Sequence, residues 1–113
     1  MIEIINEYPH LRGIIYTLSI SGKSARVLFT SHATERINQW RITKEMVAEA
    51  LLLPEEVLIG HRNRYIAHKR YGEHLVRAVY EYEGELPVLI TVYFPYQGRY
   101  FKGGGIYEDK ILT

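Results

Sequence analysis

Residues 29–57, FTSHATERINQWRITKEMVAEALLLPEEV, decide the fold, because only here do periodicity, caps and breakers all agree. Thr30 or Ser31 can accept a hydrogen bond from an exposed backbone N–H and open a helix. Behind that cap Ala33, Ile37 and Trp40 fall at spacings of four and three on one face, with His32 and Arg36 four apart beside it. A second helix starts at Thr43, with Glu45 in its first turn, where the helix dipole favours a carboxylate, and Ile42 and Val47 as a hydrophobic staple. Val47, Ala50 and Leu51 form its buried face. Pro54 ends it by pushing the preceding residue out of helical angles.

On both sides of these helices the residues change to strand formers. Upstream, residues 1–5 read as a short strand or arm ended by residues 6–10, and residues 13–20 and 25–30 form a hairpin about Ser21-Gly22-Lys23. Downstream, strands are expected over residues 57–59, 64–69 and 74–82, and PVLITVYF, residues 87–94, is the most β-prone run and a central strand. After Pro95 the signal weakens, with residues 106–112 adding an edge strand or packing back over the hairpin. The expectation is one α+β domain over residues 1–113. Two short helices pack on a mostly antiparallel sheet in the approximate order β-β-α-α-β-β-β-β. Its core spans residues 29–93, preceded by a strand and hairpin extension over residues 1–28 and followed by a glycine-containing segment over residues 95–113.

Composition narrows the chemistry. The chain has 113 residues, 47% hydrophobic and 24% charged, enough for one modest core and far from the disordered range. With no cysteine, disulfides, thiolate catalysis and cysteine-ligated metals are excluded. The first residues lack the basic start and apolar run of a signal peptide, no apolar run is long enough to cross a bilayer, and the cytoplasm is the expected compartment. Net charge is only +1, yet residues 61–79 hold Arg62, Arg64, Lys69, Arg70, Arg77 and three histidines against the single acid Glu73. Such a band can focus a polyanion.

Ser31-His32-Ala33, Arg36, Ile42-Thr43, Val47, Ala50-Leu51, Pro54-Glu55 and Val57 carry a family resemblance, joined by Val76, Arg77, Val79, Tyr80 and Thr91-Val92-Tyr93. Over residues 29–93 the chain resembles the DUF4258 family, grouped with RelE-like toxin folds and more loosely with BrnT-like ribonuclease toxins. One departure is plain: where a basic residue and glycine often precede the Ile-Thr cap, this chain has Trp40-Arg41. The resemblance implies a RelE-toxin-like fold and a metal-independent endoribonuclease of toxin–antitoxin type, with RNA as substrate, a cognate antitoxin as protein partner, and a homodimer as one arrangement. The alternative is a noncatalytic RNA-binding or protein-interaction domain. Neither reading involves a membrane.

Metal-independent RNA cleavage needs a base, an acid and cations for the charged phosphorane. His32, Arg36, Arg77, Thr91 and Tyr93 are the candidate catalytic residues, the first two a helical turn apart near free N–H groups that favour an anion. The structural reading of the same residues has His32 capping or packing, Arg36 and Arg77 in ion pairs, and Thr91 filling a β-branched position. Arg64, His68, Lys69, Arg99 and Lys102 are candidate RNA contacts, with His68 read as an exposed strand-end histidine or an alternative acid or base. Tyr65, Tyr96 and Tyr100 can add stacking. The histidines lack metal-ligand spacing, so no metal or other cofactor is expected. Glu55-Glu56 is read as a solubilising pair in a loop, and Gly103-Gly104-Gly105 as a flexible turn.

Overall fold

The computed structural model describes residues 2–108. Its elements run β1 (Ile2–His10), β2 (Gly13–Ile20), β3 (Lys23–Thr30), α1 (Ser31–Trp40), α2 (Lys44–Leu52), β4 (Glu56–Ile59), β5 (Tyr65–Tyr71), β6 (His74–Glu83), β7 (Leu86–Tyr93) and β8 (Gly105–Glu108). The strands form one sheet in the order β1-β2-β3-β7-β6-β5-β4-β8. Two helices packed on a mixed sheet make this an α+β fold, with parallel pairings at β3–β7 and β4–β8 and antiparallel pairings elsewhere. Of the short strand or arm expected at residues 1–5, the structure has a strand, which runs on through His10 where a stop was expected and pairs along β2 with an irregularity between Ile4 and Asn6. Residues 105–108 add the edge strand expected further on, while Met1 and residues 109–112 of those expectations lie outside the described residues.

The helix caps are those the sequence dictates. The Thr30 hydroxyl accepts from the Ala33 N–H and the Thr43 hydroxyl from the Met46 N–H, each at 3.1 Å. Between the helices Arg41 takes left-handed angles (φ 57°, ψ 37°), with its N–H directed to the Asn38 and Ile37 carbonyls. That is the helix-terminating position where glycine is usual. The helices cover one face of the sheet, burying Ala33, Ile37, Val47, Ala50 and Leu51 against Tyr16, Leu18, Val27, Phe29, Val76, Ala78, Leu89 and Val92. Trp40, expected on this buried face, is 41% exposed. It lies over the edge of β7 instead.

Strand β3 pairs with β7 only at Leu28↔Val88 and Phe29↔Leu89. Beyond Leu89, backbone carbonyls on that edge of β7 find side-chain donors in place of a strand: the Thr30 hydroxyl donates to the Ile90 carbonyl and the Trp40 indole N–H to the Val92 carbonyl, both at 3.1 Å. The β6–β7 register also shifts here. Val79 faces Thr91 while Tyr80 faces Leu89, so Ile90 is an extra residue in β7. Alternation is broken by one, and Leu89 and Val92, three apart, both join the helix-side core. Thr91 and Tyr93 are thereby turned to the opposite face.

After β7 the chain first keeps to its course beside β6. The Leu75 N–H donates to the Pro95 carbonyl (2.8 Å) and the Gln97 N–H to the Glu73 carbonyl (2.9 Å), continuing alongside β6. A 3-10 turn over Gln97–Arg99 reverses the path, and on that opposite face residues 100–104 cross β6, β5 and β4 in turn before β8 pairs beside β4. The crossing follows from three contacts: Tyr100 under the Arg77 guanidinium (4.5 Å), Phe101 under that of Arg70 (4.3 Å), and the Lys102 and Gly104 N–H groups on Glu56.

Candidate functional site

Strand register places four side chains in one row across this face. Glu56 pairs with His68, His68 with Arg77, and Arg77 with Tyr93. Cross-strand partners stand side by side on one face, so the row is a direct consequence of register. Three of the four are bonded in series: His68 Nδ1 lies 2.6 Å from Glu56 Oε2, and Arg77 Nη1 lies 3.0 Å from His68 Nε2. A guanidinium can only donate, so Nε2 accepts and the imidazole is the Nδ1–H tautomer, donating its proton to the carboxylate. Carboxylate and guanidinium are thus joined through a neutral ring.

Glu56 is 1% exposed and His68 fully buried. Burial pushes the Glu56 carboxyl up, but the His68 hydrogen bond and the Lys102 and Gly104 N–H groups outweigh it and hold the carboxyl below its ordinary value. The Lys102 N–H lies 3.0 and 2.9 Å from the two carboxylate oxygens, and the Gly104 N–H 3.0 Å from Oε1. Beside it, Glu55 is lowered by the Arg70 side chain and backbone N–H, which bond its carboxylate at 2.7–3.3 Å.

At the other end of the row Arg77 is half-buried and lines a cavity of about 390 Å³ with Trp40, Tyr93, Pro95 and Tyr100. Each wall has a distinct origin. Trp40 arrives by bridging the β7 edge, Tyr93 through the Ile90 bulge, and Tyr100 on the returning chain. The volume suits a small ligand. One guanidinium among three aromatic rings can hold an anionic group and a flat ring together.

Of the residues singled out in the sequence, Arg77 and Tyr93 meet in this cavity, with His68 buried behind Arg77. The exposed strand-end histidine expected at His68 is instead sealed in packing, which bars it from touching RNA or transferring a proton to a ligand. His32 and Arg36 are elsewhere on α1. The Arg36 Nε is 3.5 Å from His32 Nε2 and its Nη1 2.9 Å from Gln39 Oε1, and neither residue lines the cavity. The Thr91 hydroxyl is buried with no hydrogen-bond partner, also outside the lining. Arg64 precedes β5 on the surface, Lys69 is half-buried on β5, and Arg99 and Lys102 are exposed.

Sequence reasoning missed Glu56, taking it with Glu55 for a solvated pair. The available signal was its alternation with Leu58 in a four-residue strand, which puts both on one face. Among the described residues no group of three or more histidines and carboxylates can hold a metal ion, and no helix is long and apolar enough to cross a membrane. No curated protein and no solved structure matches the chain. A family profile described as a domain of unknown function matches residues 29–94, a span that holds the whole row from Glu56 to Tyr93 and stops before Tyr100. The profile covers more than half of the chain, which therefore belongs to the DUF4258 family.

Proposed function

We propose that this domain binds single-stranded RNA, seating one nucleotide in the Arg77 cavity. The observation that carries the reading is the Arg77 guanidinium, held against Tyr100 in a cavity whose other walls are Trp40, Tyr93 and Pro95. A phosphate takes the guanidinium and a base stacks on the rings, an arrangement that tolerates any base because every base has a π-face. The grouping of the DUF4258 family with RelE-like and, more loosely, BrnT-like toxin folds makes RNA the first polyanion to test. Among the described residues the lining carries neither imidazole nor carboxylate, which favours binding over acid–base cleavage.

A second reading, the endoribonuclease of a toxin–antitoxin pair, is supported by one observation: His32 is exposed at the start of α1 next to Arg36. One experiment separates the two. Purified protein is incubated in EDTA with a single-stranded RNA and with DNA of the same sequence. The binding reading expects intact RNA, an affinity lowered about tenfold or more by Arg77→Ala, the loss of one charge-assisted contact, and little change in His32→Ala. RNA fragments that vanish with His32→Ala would replace it with the nuclease reading. Equal, weak retention of RNA by wild type and Arg77→Ala would end it.

A further inference from the structure

We propose that Glu56 is a positioning residue that clamps two things at once: through His68 it fixes the Arg77 guanidinium, and through two backbone N–H groups it holds down the chain segment carrying Tyr100. The anion-binding group and the aromatic wall of the cavity therefore form or fail together. The inference deepens the RNA-binding reading and rests on it for the identity of the ligand.

The geometry gives the carboxylate three donors, the His68 Nδ1–H, the Lys102 N–H and the Gly104 N–H, all within 3.0 Å. An ionised carboxylate has acceptor sites for all three, whereas a glutamine side chain offers one acceptor oxygen and brings two donors of its own. Arg77 is held twice, by His68 Nε2 and by the Tyr100 ring, and each contact is traceable to the same buried group. Gly104 fits this duty, since its φ of 97° is a backbone conformation that other residues rarely adopt. Neither Glu56 nor His68 touches the cavity, so their effect on a ligand is exerted only through Arg77 and the returning chain.

The full chain is tested by amide hydrogen exchange, by the Arg77 guanidinium signals in 15N NMR, and by affinity for a short oligoadenylate. In Glu56→Gln the Lys102 and Gly104 amides are expected to exchange about tenfold faster or more, with the Arg77 signal broadened and affinity down by a similar factor, while the Val76 and Ala78 amides stay protected. His68→Gln keeps a donor for Glu56 and an acceptor for Arg77 and is expected to stay within about threefold of wild type. Lys102→Pro removes a strap donor and sets a ring carbon against the Glu56 carboxylate in its place, which is expected to lift the strap and loosen Arg77 as well, whereas Lys102→Ala, which keeps the N–H, is not. An unchanged Arg77 signal in Lys102→Pro, or His68→Gln as damaged as Glu56→Gln, overturns the clamp. Wild type that ignores the oligoadenylate overturns only the RNA reading, since exchange and NMR still report the clamp.

Discussion

Replacing His68 by leucine is expected to be among the most damaging single changes in the chain, and its cost has a distinctive pH dependence. Leucine fills most of the buried space, so the loss is chiefly polar: Glu56 keeps its two backbone donors but loses the Nδ1–H, and Arg77 Nη1 loses its acceptor. Leaving a buried polar group without its partner costs about 1–3 kcal/mol, and more for a charged one; here a carboxylate and a guanidinium each lose one hydrogen bond and keep others, which puts the loss at about 3 kcal/mol. For a domain of this size that is a fall in Tm on the order of 10–20 °C. In wild type the Glu56 carboxyl sits below its ordinary value near 4.5, so its contribution is fully present above that value and is lost as pH falls through the lower folded value. In the variant, burial is left with less to oppose it and raises the folded value. The penalty is then present at neutral pH and is relieved by protonation, so the gap between the proteins narrows towards about pH 4. Urea unfolding followed by far-UV circular dichroism, with Trp40 fluorescence as a second probe, measures both quantities. A neutral-pH difference below about 1 kcal/mol, or a gap that widens in acid, would refute the account of the row.

Two further changes test the surroundings of the site. Thr91→Val removes a buried hydroxyl that has no partner while keeping its shape, and is expected to stabilise the fold by about 1 kcal/mol in denaturant titration with RNA affinity unaltered. Arg41→Gly relieves the left-handed backbone at the end of α1 and is expected to add about 0.5–1 kcal/mol; a loss of stability there would mean that the arginine side chain outweighs its backbone strain.

The helices were legible because their signals are local. Thr30 and Thr43 cap what their positions say they cap, and Ala33, Ile37, Val47 and Ala50 are buried at the spacings that a helix imposes. Trp40 shows the limit of that argument. Helical phase puts it near the apolar stripe, but at the last turn the indole reaches the unpaired edge of β7, and nothing local reveals that β3 leaves that edge bare. His68 failed for a related reason: the strand was expected to end near it, whereas β5 runs on to Tyr71 and the returning chain covers its face.

By itself the sequence determined the two capped helices, the strand-forming runs around them and the exclusion of cysteine chemistry, because each is fixed by residues within a few positions of one another. Only the tertiary structure decided that Glu56, His68, Arg77 and Tyr93 form one row. Three separate registers and one extra residue at Ile90 must agree for that to happen. A shift of one residue in any of them would send a side chain to the other face, and the choice among shifts is made by the packing of the whole sheet against its helices.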